Sequence, residues 1–156
     1  TQVLTLFPYT TLFRSEIAPL VRRLLGLESR IPIINEGGPD VVVQIDAAQV
    51  EQVLINLLKN AVDAALEQRA AGHTEAGVRL AWHFNGGMLE ITVEDDGPGI
   101  ASFQNLFVPF FTTKPQGSGI GLVLCRQIAE NHGGTLSLEN REAPHSGCRA
   151  RLRLPR

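Results

Sequence analysis

Hydrophobic and polar positions along the chain follow two periods, and the switches between them outline the fold. Ile17, Leu20, Val21, Leu24 and Leu25 recur at helical spacing. This predicts a helix over 15–27, with Ser15 as its N-cap, Pro19 in the first turn and Gly26 at its end. Val50, Val53, Leu54, Leu57, Leu58, Ala61, Ala64 and Ala65 form a longer stripe. Asp46 starts that helix, and Gln49 three residues on completes a capping-box pattern. The stripe runs out near Ala71–Gly72. A third helix carries Ile120, Val123, Leu124 and Ile128.

Between the helices the period is two. Short strands are predicted at 31–34 and 41–45, flanking the turn Asn35–Asp40. Val78, Leu80, Trp82 and Phe84 alternate with Arg79, Ala81 and His83. Leu89, Ile91 and Val93 alternate with Met88, Glu90, Thr92 and Glu94, and Asn85–Gly87 joins these two strands as a hairpin. Leu136–Leu138 and Arg149–Leu154 repeat the pattern. Such alternation means one buried and one wet face, which excludes a doubly wound parallel sheet. The fold class expected is an α/β two-layer sandwich: a mixed, largely antiparallel sheet with about three helices on one face.

Composition narrows the function. The chain has 156 residues, 44% hydrophobic and 19% charged, which fits one globular domain. A net charge of −2 gives no reason to expect a nucleic acid partner. No apolar run reaches membrane-spanning length and no signal peptide stands out, so no direct membrane contact is expected. Cys125 and Cys148 form no CxxC and read as small buried hydrophobes in a reducing compartment. Residues 1–14 show neither period and read as an unassigned extension or a cloning remnant.

The candidate chemistry lies in four stretches. In GSGIGL, Gly117, Gly119 and Gly121 alternate and run into a helix. Close backbone approach and a helix N-terminus together suit a phosphate, while a plain loop before a helix is the other reading. In EQVLINLLKNAVDA, Asn56 and Asn60 stand four apart on one face with Gln52 and Asp63. Asparagine is a mediocre helix former, so the pair suggests a polar ligand; a solvated face is the alternative. In VEDDGPGI, Asp95 ends a strand and two glycines follow, which fits either a presented acceptor or a surface turn. In the fourth, Phe103, Phe107, Phe110 and Phe111 crowd a predicted loop and are expected to pack on the core or a lid. Arg149, Arg151 and Arg153 read as a solvated strand face.

These stretches, in this order, resemble the ATP-binding domain of sensor histidine kinases, most closely the nitrogen-regulation class. NLLKNA is similar to its N box, DDGPG to its first glycine box, FVPFFTTK to its F box and GSGIGL to its second glycine box. The resemblance covers about 31–155 and implies the Bergerat-type ATP-binding fold shared with gyrase, MutL and the ninety-kilodalton chaperones. It implies ATP and Mg²⁺ as cofactors, with Asn60 as the magnesium ligand and Asn56 its polar partner one turn earlier, the two forming the catalytic pair. It implies Asp95 as acceptor for the adenine amine, with Gly97, Gly99 and Ile100 shaping that pocket. Gly117, Ser118, Gly119, Ile120, Gly121 and Leu122 then face the phosphates, Phe107, Thr113 and Lys114 belong to the lid, and Lys59 is an additional binding residue. His132 matches a structural position at a helix end.

Three positions depart from the pattern. The segment after Ile100 is short, Val108 replaces a common Glu, and Asp63 replaces an occasional Lys. The hydrolysing members place a glutamate where this chain has Asn56. Asparagine cannot act as a general base at neutral pH, so the resemblance implies phosphoryl transfer over hydrolysis. None of His73, His83, His132 and His145 lies in a phosphoacceptor context. The expected organisation is an extension over 1–14, a linker helix over 15–30 from a dimerisation domain, and the ATP-binding catalytic domain over 31–156. The implied partners are a histidine-containing dimerisation domain and a response regulator, in the cytoplasm. An ATP-driven clamp, a protein serine kinase and a purely regulatory module are the alternatives.

Overall fold

The computed structural model describes residues 12–101, 103, 104, 106, 107 and 121–156. Its centre is a five-stranded sheet built from β2 (Ile33–Gly37), β4 (Val78–Asn85), β5 (Met88–Asp95), β6 (Thr135–Asn140) and β7 (Cys148–Pro155). The spatial order is β2-β4-β5-β7-β6. Only the β2–β4 pairing is parallel. Three helices, α1 (Ile17–Leu25), α2 (Ala47–Ala70) and α3 (Gly121–Asn131), complete the main layers. α2 packs on β4 and β5, α3 on β6 and β7, and α1 on α2 and β2. The predicted mixed, largely antiparallel two-layer sandwich is therefore the fold.

Register explains the layering. Leu80 faces Val93 and Trp82 faces Ile91 across β4 and β5, while Ile91 faces Leu152 and Leu89 faces Leu154 across β5 and β7. These rungs are all buried beneath the helices. Residues one position along emerge on the other face, where Arg and Glu alternate across strands. Glu94 pairs with Arg149, Arg79 and Arg141, while Glu90 pairs with Arg153 at 2.7 Å and Arg151 at 3.8 Å. A shallow groove on this face is lined by Arg79, Glu90, Glu94, Arg149 and Arg151 among others. Arg149, Arg151 and Arg153 are thus a strand face neutralised by acids, in line with their simplest reading.

The first strand differs from expectation. Phe13–Glu16 is a strand, β1, paired antiparallel with β3 (Val42–Ile45) in a separate two-stranded sheet. Ser15 is a rung opposite Val43, not the N-cap of α1; Glu16 occupies that place with no side-chain cap bond. The helical stripe over 17–25 gave no signal of this, because β1 is stabilised by pairing with β3 far along the chain. Ile17, Leu20, Val21 and Leu24 are buried in the same apolar cluster as the sheet, and Pro19 lies in the first turn. β2 also extends through Asn35 into the predicted turn, with a bulge between Asn35 and Gly37. Gly38 then lies against Trp82, whose indole donates to the Pro39 carbonyl at 2.8 Å.

Asp46 caps α2 by accepting from the Gln49 N–H at 3.1 Å. The Asp46 N–H donates to His132 Nε2 at 3.1 Å, and His132 Nδ1 lies 2.9 Å from the Ile128 carbonyl. Since Nε2 must accept, the ring proton sits on Nδ1 and points at Ile128. His132 therefore ties the end of α3 to the start of α2. Among the described residues no helix is long and apolar enough to cross a membrane.

Candidate functional site

One stripe of α2 organises the site. Asn56, Asn60 and Ala64 follow at four-residue intervals, each about 6 Å further along the axis. At one end a Cβ on Gly121, the first residue of α3, would lie 3.9 Å from Asn56 Oδ1. At the other a Cβ on Gly97 would come within 2.5 Å of the Ala64 Cβ. The turn after β5 and the start of α3 therefore rest on the same helix face, with Asn60 between them. Asn56 and Asn60 are half-buried, and Lys59 is exposed about 100° around the helix from Asn60. Asp63 accepts from Arg30 at 2.8 Å, and Arg30 also holds Glu28.

The Cys125 thiol of α3 is buried against α2 and donates to the Val53 carbonyl at 3.9 Å. Burial pushes that thiol up to about 11, and it pushes Cys148 up to about 12. Both cysteines therefore stay protonated at neutral pH and behave as small hydrophobes.

Asp95 ends β5 on its buried side and is 5% exposed. Its Oδ1 accepts from the Gly97 N–H at 2.8 Å and the Cys148 N–H at 3.3 Å. Among the described residues no donor reaches Oδ2. Burial raises the Asp95 carboxyl above the ordinary range; the two N–H donors oppose the rise and the neighbouring Asp96 adds to it. The carboxylate is held by one oxygen, and the other remains available to a ligand donor.

Asp96 is built in the opposite way. The strand alternation turns it to the wet side, where Arg79 binds it with two nitrogens, at 2.9 and 3.0 Å, and Arg141 adds a third contact. Gly77 donates to it at 2.9 Å and accepts from its N–H at 3.1 Å. Arg79 foremost, despite partial burial, lowers the Asp96 carboxyl to about 2.

Sequence reasoning missed the β6–β7 loop, which reaches across to the Asp95 turn. A Cβ on Gly147 would meet the Asp95 carbonyl at 1.9 Å, and Gly147 has φ +106°. Asn140, at the end of β6, accepts from the Ile100 N–H at 2.7 Å and donates to the Ile100 carbonyl at 3.1 Å. Gly99, at φ +87°, lies beneath the same amide. In the sequence these residues show only as turn formers, because their partners lie 40 positions away for Asn140 and 52 (147 − 95) for Gly147.

Phe107 is half-buried against the core, with the Arg126 guanidinium 4.8 Å from its ring centre. Phe103 stays 49% exposed, so it departs from the packing expected of the phenylalanines. Leu122 packs on the core at the start of α3. Val108, Phe110, Phe111, Thr113, Lys114, Gly117, Ser118, Gly119 and Ile120 lie outside the described residues.

The donor set fits a nucleotide. A Cβ on Gly97 would collide with Ala64 and one on Gly99 with Asn140, so these glycines let the turn pack closely on α2 and β6, and Asp95 offers a carboxylate oxygen beside them. Among the described residues no group of three or more His, Cys, Asp or Glu could cage a metal. The Asn60 amide is a single hard oxygen of the kind that suits Mg²⁺, which takes few protein ligands.

Comparison with known proteins shows the family and the fold. The family model of histidine kinase-, DNA gyrase B- and HSP90-like ATPases matches residues 45–156. The chain is 46% identical over 97 residues to the C4-dicarboxylate transport sensor protein DctS of Rhodobacter capsulatus, covering 61% of this chain and 14% of that protein. It is 35% identical to the sensor protein kinase PilS of Pseudomonas aeruginosa over 114 residues, covering 72% and 21%. The chain thus spans roughly a seventh to a fifth of the length of these relatives. Among solved structures it is similar to the catalytic domain of histidine kinase ThkA, with TM-score 0.77 and 29% identity over 94% of this chain and 96% of that one.

Proposed function

The chain belongs to the family of histidine kinase-, DNA gyrase B- and HSP90-like ATPases, and from that premise we propose that it binds Mg·ATP and delivers the γ-phosphoryl group to a histidine on a separate domain. It is the ATP-binding catalytic domain of a sensor histidine kinase. The observation that carries the reading is the shared helix face, with the Asp95 turn over Ala64 and the start of α3 over Asn56. Asp95 accepts from the adenine amine through Oδ2, while Gly97 N–H and Cys148 N–H hold Oδ1 in place. Gly97 and Gly99 let the turn that borders the base pack closely against Ala64 and Asn140. Asn60, midway along the stripe, supplies the amide oxygen for magnesium, and Gly121 begins the helix whose N-terminus favours phosphate charge. Magnesium, when bound, neutralises the phosphate oxygens. Phe107, Thr113, Lys114, Gly117, Ser118, Gly119, Ile120 and Leu122 complete the phosphate side.

Asn56 supports transfer over hydrolysis. Its half-buried amide faces Gly121 and has no proton-accepting strength to activate water. The acceptor histidine belongs to a dimerisation domain, and the phosphoryl group passes on to a response regulator. A structure of ThkA, 27% identical to this chain, in complex with the response regulator TrrA supports a response regulator as partner. On this reading the domain works in the cytoplasm, where ATP is available, and residues 15–30 continue from the dimerisation domain.

Calorimetric titration of the chain with ATP, with and without Mg²⁺, tests the binding. Incubation with labelled ATP and an added histidine hairpin tests the transfer. The expected result is saturable magnesium-dependent binding, label on the hairpin and slow phosphate release. Rapid release with no label on the hairpin overturns the transfer reading in favour of a hydrolase.

A further inference from the structure

We infer that Asn140 is a positioning residue for the nucleotide: its amide presets the turn that forms the adenine side of the pocket. This rests on the ATP-binding reading above.

The geometry is that of an added sheet rung made by a side chain. Asn140 Oδ1 accepts from the Ile100 N–H at 2.7 Å, and its Nδ2 donates to the Ile100 carbonyl at 3.1 Å. Both backbone groups of Ile100 are thus satisfied by one planar amide, which fixes the orientation of that peptide as well as its place. The residue before it, Gly99, has φ +87° and lies close enough that a Cβ would meet Asn140 Oδ1 at 2.9 Å. Asn140 sits at the last rung of β6, opposite Cys148, whose N–H holds Asp95 Oδ1. One hairpin therefore grips both ends of the Asp95–Ile100 turn, the carboxylate through Cys148 and the far end through Asn140.

An unanchored Gly-Pro-Gly segment samples many conformations, and a ligand that needs one of them binds more weakly by the fraction in which it is present. Asn140 removes that loss before the nucleotide arrives. Its side chain is exposed and contributes nothing to the apolar core, so its effect falls on the turn rather than on the fold.

The test compares the wild-type chain with Asn140→Ala and Asn140→Asp. Asn140→Ala is expected to weaken ATP and ADP alike by about tenfold, as losing two neutral hydrogen bonds implies. Asn140→Asp keeps the acceptor for the Ile100 N–H and is expected to fall between. Exchange of the Ile100 amide, followed by NMR without nucleotide, should be slow in the wild type, faster in Asn140→Ala and intermediate in Asn140→Asp. Melting temperatures should stay close together.

Asn140→Ala binding within about twofold of wild type overturns the inference, whatever the exchange shows. So does a loss confined to ATP, which would put the effect on the phosphate side. A wild-type chain that fails to bind ATP overturns the nucleotide reading itself, and the inference with it. Should Asn140→Ala unfold, Asn140→Asp decides alone, by a weaker affinity or none.

Discussion

Asp95 and Asp96 are neighbours in sequence and opposites in construction. Asp95 points under the helices, is 5% exposed, and has both protein donors on a single oxygen. Asp96 points to the wet face and is surrounded by Arg79, Arg141 and the Gly77 N–H. Burial raises the first carboxyl, and the arginines lower the second to about 2. A buried carboxylate with spare accepting capacity costs the fold stability and offers it to a ligand. A carboxylate satisfied on every side stabilises the fold and has nothing left to offer.

The largest effect follows from converting the first into a neutral group. Asp95→Asn keeps an oxygen for the Gly97 and Cys148 N–H groups but loses the charge facing the adenine amine. Nucleotide affinity should fall by about tenfold to a hundredfold, the range of a charge-assisted hydrogen bond. The fold should not suffer. A carboxyl raised by burial counts against folding once it ionises, and its contribution becomes less favourable as pH rises through the folded value. The variant should therefore melt at the same or a higher temperature at neutral pH. Calorimetry and a thermal melt on one sample check both halves, and a lower melting temperature with unchanged affinity would reverse the assignment of the two aspartates.

The same contrast explains what could be read in the sequence. The α2 stripe, the alternating β4, β5 and β7, and the hairpin at Asn85–Gly87 are local patterns, and burial follows them directly. Asp95 and its glycines stood out because a strand end followed by two glycines is itself local. What could not be read depends on partners far along the chain. Ser15 looked like a cap because nothing nearby announces its pairing with Val43. The bond from the Asp46 N–H to His132 could not be read because His132 comes 86 positions later. Asn140 and Gly147 looked like ordinary turn residues for the same reason.

A middle-sized effect comes from Asp96→Asn. The folded carboxyl ionises at about 2 against an ordinary 3.8, so the folded state releases its proton more readily than the unfolded chain. That stabilisation is complete above the unfolded value and fades as pH falls toward the folded one, amounting to about 2 kcal/mol at neutral pH. Denaturant midpoints at pH 7 should separate wild type from Asp96→Asn by about that much. Near pH 2 the difference should nearly vanish, while nucleotide affinity at pH 7 stays close to wild type. A stability gap that persists undiminished to pH 2 would mean that packing, rather than charge, makes Asp96 stabilising.

The smallest effect tests how far the wet face is merely structural. Arg151 holds Glu139 at 3.0 Å and stands 3.8 Å from Glu90, in a ladder where each acid already has another basic partner. Glu90 is 4% exposed; burial would raise its carboxyl, yet Arg153, His83 and Arg151 together bring it below the ordinary range. Removing one member leaves Glu90 with Arg153 at 2.7 Å, so no buried charge is orphaned. Arg151→Ala should therefore cost less than about 1 kcal/mol, and less still in high salt, as exposed ion pairs do. Nucleotide affinity should not change, because the sheet separates this face from the helix stripe bearing Asn56 and Asn60. A clear loss of affinity in Arg151→Ala would show that charge on the wet face reaches Asp95 through Glu94 and Asp96, and the division between the two aspartates would then be one of degree.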